Sequence, residues 1–348
     1  LSALRQIMRE HNLDAWIIPS ADPHLSEYLP EHWQARVYFS GFTGSVGTLV
    51  VTADKAGLWA DSRYWEQAAH QLQGSGIELQ KVGEVAPYTD WLAAELPNGA
   101  AAGAAADMLS LTAKRQLETA FAAKNIRLDV SRDIADTVWA DRPALPQEVV
   151  FPHDAAFVSE TAATKLARVR AAMKEQGAAW HLISSLDDTA WLTNLRGSDV
   201  PYNPVFLSYL LIGTDSAVLF VDEAKLNPAS RALLAEAGIT TAPYAAVREA
   251  LSKISDGLLV NPDKTAVSTL QLMPSENRLI ENINPSTLFK SVKSAADLDH
   301  VREAMRQDGA ALCGFFAEFE RNLADGTAMN ELDIDTMLHK YQIGRAHV

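Results

Sequence analysis

The sequence predicts an α/β fold: two similar mixed-sheet domains flanked by helices, followed by the first helices of a third domain. Three observations lead there. The order helix, strand, turn, hairpin, helix occurs twice, with AWII at 15–18 echoed by AWHLI at 179–183 and GLWAD at 57–61 echoed by VLFVD at 218–222. Between the copies lies DRPALPQEVVFP, where prolines 143, 146 and 152 remove backbone donors and fix φ, the composition of a linker. Beyond the second copy, a long amphipathic helix begins at Ser294 with too little chain after it to cover its apolar face. The expected organisation is a first domain over 1–140, a linker over 141–158, a second domain over 159–286 and the start of a third over 287–342. A length of 348 residues fits two or three domains at about 150 residues each.

In the first copy, Leu1, Leu4, Ile7 and Met8 mark one helical face, and Asn12 can end that helix in a left-handed conformation. A buried strand over 14–20 follows. Residues 48–52 and 57–61 form a hairpin, and a helix over 62–73 carries Arg63 in its first turn. A strand over 77–82, a helix over 86–96 and a small-residue strand over 100–106 containing Gly103 come next. A helix over 112–124, an extended 127–130 and a short helix over 131–138 close the domain.

The second copy runs from a helix over 161–176 to a strand over 178–184, and then to the stretch 187–206. There Asp187 or Asp188 is expected to cap a helix whose apolar side is Ala190, Trp191 and Leu195, with Gly197 breaking it. Arg196 and Asp199 flank that glycine and are read as a structural pair. Pro201 and Pro204 stiffen the approach to an apolar strand over 205–212, paired in a hairpin that ends near Asp222, before a helix over 225–237 and a strand over 257–267. In the third segment Ser294 caps a helix with Asp297 three positions on, and its stripe is Leu298, Val301, Met305, Leu312, Phe315 or Phe316, and Phe319. A shorter helix over 330–341 follows. Residues 343–348 do not continue that pattern and are read as a non-native tail.

Composition narrows the function. Hydrophobic residues make up 48% and charged residues 21%, a globular balance. A formal net charge of −14 with no basic patch disfavours nucleic acid and anionic membrane surfaces and favours peptides or proteins as partners. Cys313 is the single cysteine, so no internal disulfide forms, and with no apolar run of about 18 residues the expectation is a cytoplasmic protein.

Few residues suggest chemistry. Asp22, His24, Glu27 and His32 have metal-ligand composition but no zinc spacing, and are read as turn and surface residues with one or two paired histidines. GFTGSVG at 41–47 lacks the lysine and following helix of a phosphate loop and is read as a tight turn. There is no HExxH, paired CxxC or GxSxG, and His153 and His300 are read as solvated. Arg63 could hold the carboxylate of a short peptide with its guanidinium fork, or pair locally with Asp61 or Glu66. In the second copy, Glu223-Ala224-Lys225-Leu226 follows the shared aspartate with no basic residue at Arg63's step, which argues against a purely architectural arginine.

AWLTNLRGSDVPYNPVF at 190–206 closely resembles the second domain of long-form, three-domain Xaa-Pro aminopeptidases, of the pita-bread metallopeptidase superfamily. IIPSADPHLSEY, YFSGFTGSVGT and LWADSRYWEQAA are similar to first-domain segments in the same order, and SVKSAADLDHVREAMRQDGAALCGFF resembles the entry helix of the catalytic domain. The resemblance covers the chain to about Gln342. It implies two creatinase-N-terminal-like domains and a truncated pita-bread domain, belonging to an enzyme that removes the N-terminal residue from peptides with proline at position 2. Two divalent metal ions, usually Mn2+, and a homodimeric full protein are also implied, with the metal ligands beyond this sequence, so that this piece would be inactive alone. Arg63 matches a family arginine associated with bound peptide, although Ser62 stands where the family usually has glycine. Two rivals are kept: a prolidase or creatinase relative, disfavoured by the two N-terminal domains, and a non-catalytic binding module like the peptidase-related histone-chaperone subunit.

Overall fold

The computed structural model describes residues 1–342; the tail expected at 343–348 lies outside the described residues. In the first half, β1 (Ala15–Pro19), β2 (Thr48–Thr52), β3 (Ala56–Ala60), β4 (Glu78–Lys81), β5 (Ala101–Ala104) and β6 (Arg127–Asp129) form a sheet ordered β4-β3-β2-β1-β5-β6. β1–β2 and β2–β3 are antiparallel, while β3–β4, β1–β5 and β5–β6 are parallel. Strand alternation gives this sheet two apolar faces. Trp16, Ile18, Leu49, Val51 and Leu58 look into one core, and Ala15, Ile17, Val50 and Trp59 into the other. Both are covered by helices, so the strands read as continuous apolar runs.

Two short strands, β7 (Phe151–Pro152) and β9 (Leu195–Arg196), pair with each other and bracket β8 (Trp180–Ile183) in sequence. β10 (Tyr209–Gly213), β11 (Ala217–Phe220), β12 (Thr240–Ala242), β13 (Leu258–Val260) and β14 (Leu279–Glu281) join β8 in the order β12-β11-β10-β8-β13-β14. The pairing senses repeat those of the first sheet one for one. The expected duplication is therefore present strand by strand.

Side-chain caps set several boundaries. Ser110 accepts from Ala113 N at 3.0 Å, Thr161 from Thr164 N at 3.2 Å, and Asn227, before Pro228 at the first helical position, from Ser230 N at 2.8 Å. Asn12, at φ 53°, ends the first helix as expected.

The proline-rich stretch is no free tether. Arg142 donates to His32 O at 2.7 Å and lies over the Trp33 and Trp139 rings. Val150 is fully buried, its N–H bonded to Lys225 O at 2.9 Å and its carbonyl accepting from Ser230 Oγ at 2.7 Å.

The described chain forms two compact units. The larger, Leu1–Pro152 with Thr161–Leu288, holds both sheets. The smaller joins His153–Glu160 to the described residues from Phe289 onward. In it the helix Ala295–Ala324 starts with the expected capping box, Asp297 N donating to Ser294 Oγ at 3.1 Å and Ser294 N to Asp297 Oδ2 at 2.9 Å. Its 30 residues span about 45 Å. The helix Glu331–Gln342 lies against it, with the Tyr341 ring on Gly314, Tyr341 OH donating to Glu318 Oε2 at 2.5 Å, and Lys340 pairing with the same carboxylate. Among the stripe residues Phe315 is buried, while Leu298, Val301, Met305 and Phe316 are exposed. Uncovered apolar side chains associate in water. We therefore expect this chain to self-associate on static light scattering, and Val301→Gln with Met305→Gln to lower its apparent mass. A monodisperse wild-type monomer would show the stripe to be covered in solution.

Candidate substrate-contact site and the loops around it

Arg63 sits where β3 ends. Asp61 caps the 3-10 turn Ser62–Tyr64, accepting from Arg63 N at 3.1 Å, and the same carboxylate takes Arg63 Nε and Nη2 at 2.9 Å each. This is the local pair considered from the sequence, made to Asp61. The guanidinium is 65% exposed, lies over the Tyr64 ring, and among the described residues no partner takes Nη1. Hydrogen bonding to Asp61 holds Arg63 well above its ordinary range, and the Arg63 guanidinium lowers Asp61, so both stay charged at neutral pH. In the second copy Asp222 caps the equivalent turn through Ala224 N at 3.0 Å, which places Ala224 at the step of Arg63. The turn can therefore close without an arginine.

The glycine loop at 41–47 lies beside this turn. Tyr64 OH meets Ser45 Oγ at 2.7 Å, and the Phe42 ring lies edge-on to Tyr64. A Cβ at Gly44 would collide with both rings, and Gly41 adopts φ 71°, so the loop depends on those glycines. Buried Arg36 holds it from below, donating to Ser20 Oγ and Phe42 O at 2.7 Å each and to Gly44 O. Burial lowers this guanidinium to about 10. The loop's carbonyls are turned onto an internal cation, as suits a tight turn and not a phosphate cradle.

Several expectations are corrected. The helix after β8 is Leu186–Thr193, and neither Asp187 nor Asp188 is its cap residue, because Ser185 occupies that position. Asp188 is instead buried, accepting from Ser185 Oγ at 2.7 Å, Asn284 Nδ2 at 3.1 Å and Thr287 Oγ1 at 2.7 Å. Asn194 at φ 55° ends the helix before Gly197, so Leu195 belongs to β9. Arg196 and Asp199 do not pair. Arg196 donates to Ala190 O and Leu195 O, whereas Asp199 accepts from Leu207 N at 2.7 Å and from Lys225, both ionic partners being almost wholly buried. Residues 205–208 are buried but irregular, and the strand starts at Tyr209.

Asp22 and His24, expected on the surface, are buried; His32 is bonded to Pro143 O at 2.6 Å. His153 and His300 are half-buried on either side of Phe157, with ring centroids 5.8 and 4.9 Å away, and are not fully solvated. Tyr244, Arg248 and buried Lys225 were not singled out as sites by the sequence. Nothing in their local spacing marks them, since their partners lie far away in the chain. Among the described residues no group of three or more His, Cys, Asp or Glu is placed to hold a metal ion, so these residues do not fit a two-metal centre. No helix among them is long and apolar enough to cross a membrane.

Two family patterns, each described as the creatinase/prolidase N-terminal domain, match this chain, one over residues 1–136 and the other over 141–297. Probable Xaa-Pro aminopeptidase P of Laccaria bicolor is 34% identical in an alignment 342 positions long that covers 95% of this chain and 53% of that protein. Its namesake in Neurospora crassa is 36% identical in an alignment 369 positions long that covers 99% of this chain and 53% of the relative. The crystal structure of X-prolyl aminopeptidase from Caenorhabditis elegans, described as a cytosolic enzyme with a di-nuclear active site, superposes with a TM-score of 0.89 at 28% identity, covering 94% of this chain and 55% of that one. The chain thus spans about half the length of the curated relatives it matches. With both sheets inside the two family matches, the chain belongs to the creatinase/prolidase N-terminal domain family, in the tandem form it shares with Xaa-Pro aminopeptidases.

Proposed function

We propose that this chain is the N-terminal part of a metal-dependent aminopeptidase that removes the first residue from short peptides with proline at position 2. In this reading residues 1–140 and 159–286 wall the approach to the active site, 141–158 joins them, and 287–342 opens the catalytic domain. The two divalent ions, Mn2+ by preference, the catalytic groups and the main homodimer contacts belong to the full protein, which acts in the cytoplasm. The observation that carries the reading is the superposition on X-prolyl aminopeptidase along 94% of the chain. The role left to the described residues is to bind and admit substrate.

Arg63 is the residue assigned to substrate. Its exposed guanidinium keeps an Nη1 donor beside the Asp61 pair, and a peptide carboxylate would take it as a charge-assisted bond. The test is to read the coding sequence past Gln342, express the protein it encodes, and follow Arg-Pro-Pro cleavage with manganese and with chelator. Release of the first residue should require metal. Arg63→Ala should raise KM about tenfold with kcat little changed, the pattern of binding lost equally from ground and transition states. An unchanged KM would return Arg63 to the Asp61 turn, and no cleavage by the wild type would favour a binding module.

A further inference from the structure

The two sheets of the larger unit meet along a seam that mixes polar bonds with apolar contacts. Backbone bonds cross it from Leu111 N to Thr265 O (3.1 Å), Thr112 N to Pro262 O (3.3 Å) and Val267 N to Leu109 O (2.8 Å). Two half-exposed ion pairs, Arg115–Glu281 and Arg248–Asp107, flank them, and exposed pairs of this kind contribute little. His24 is enclosed in the seam at 1% exposure. Its Nδ1 lies 2.8 Å from Ser184 O and its Nε2 2.8 Å from Tyr244 OH, joining the first half of the unit to two separate segments of the second. The ring also rests on Tyr209, with centroids 4.5 Å apart, and Tyr209 stacks on Tyr244.

This geometry fixes a protonation state. A carbonyl only accepts, so Nδ1 carries the proton toward Ser184; neutral Nε2 is then an acceptor, and the Tyr244 hydroxyl donates to it. We infer that His24 is an acid-sensitive latch between the two sheets: a proton on Nε2 reverses the bond to Tyr244, leaves a cation enclosed by two tyrosine rings, and loosens the seam.

The charged groups around the ring do not cancel that cost. Asp22, Asp107 and Asp199 favour the cation, yet Asp107 is engaged by Arg248 and Asp199 by Lys225, and Lys264 reaches the same loop at Leu25 O. Asp22 spends Oδ1 on the His24 and Ser26 amides; its buried Oδ2 has no partner. Tyr209 and Tyr244 stay neutral, burial raising both. Burial outweighs the carboxylates and holds His24 below the ordinary 6.5. The opened seam therefore binds the proton more tightly than the closed one. The latch is fully present above about pH 6.5 and weakens as pH falls through that value toward the lowered one.

The inference does not depend on the proposed activity. Its test is hydrogen exchange on the full chain between pH 7.5 and 5.5, corrected for intrinsic rates. The seam amides of Leu111, Thr112 and Val267 are compared with central sheet amides such as Val50 and Leu211, which report global opening that also carries buried His181. In the wild type, seam opening should rise by up to about tenfold per pH unit below 6.5 while the central amides change less. His24→Gln keeps a donor and an acceptor without titrating and should flatten that rise. Acid-insensitive seam amides, or an equal rise in His24→Gln, would overturn the latch. Should that variant fail to fold, Tyr244→Phe decides: stripped of its donor, Nε2 in the closed seam takes a proton more readily, so the acid-driven rise still begins near 6.5 but levels off at a higher pH with a smaller total amplitude, and an unchanged profile overturns the proposal.

Discussion

Lys225→Met should destabilise the larger unit by about 3–5 kcal/mol, the usual cost of removing one partner of a buried ion pair. Lys225 and Asp199 are 2% and 0% exposed at their side chains, so the carboxylate left behind would have no water to replace the ammonium. It would still accept from Leu207 N, which keeps the turn after Pro204 in place but does not balance the charge. Adding Asp199→Asn removes the orphaned charge and retains an acceptor for Leu207, so the double variant should recover most of the loss. The measurement is the urea midpoint of wild type, both single variants and the double. A Lys225→Met cost below about 1 kcal/mol would mean that water reaches the pair in solution.

The second large effect is expected from one methyl group. Gly103 pairs with Trp16 across the parallel β1–β5 ladder, and a Cβ there would lie only 2.3 Å from Trp16 Cζ3 and 3.2 Å from Leu13 Cδ1. Trp16 is 1% exposed and walled by the rest of its core, so it cannot swing aside without disturbing Leu49 and Leu58. Overpacking on this scale costs about 3 kcal/mol. Gly103→Ala should therefore lower Tm by several degrees and reduce the soluble yield, whereas Gly99→Ala, in an open turn with φ 76°, should cost only the strain of its backbone. Equal losses in the two variants would contradict the packing argument.

The sequence showed what is local and repeated. AWII and AWHLI each lead to an equivalent central strand because a largely apolar run of this length is suited to burial between helix layers. Ser294 and Asp297 announced their capping box because its donors and acceptors are three residues apart. What it hid was decided at long range. Asp199 had Arg196 three positions away, yet the turn aims its carboxylate at Lys225, 26 residues on. β12 and β14 have three residues each, too few for a period, and become strands because a neighbour offers its edge. Asp188 has the composition of a cap and the position of a core acceptor, a difference settled by Asn284 and Thr287 nearly a hundred residues away. The Arg63 turn was legible down to its alternative partner, Asp61, because both lie within one turn. His24 was not, because its partners are 160 and 220 positions distant.

The crossing of the two halves has a consequence for synthesis. Val267 belongs to the core under the first sheet, and Leu111 packs against the core of the second. A chain emerging from the ribosome can assemble β1 to β6 early, since those strands lie within its first 129 residues. The pocket for Val267 then stays unfilled until more than a hundred further residues have been made. The first half thus waits, nearly complete, for a single side chain from the second, and a ribosome stalled before that codon would hold a domain whose core is still open to water.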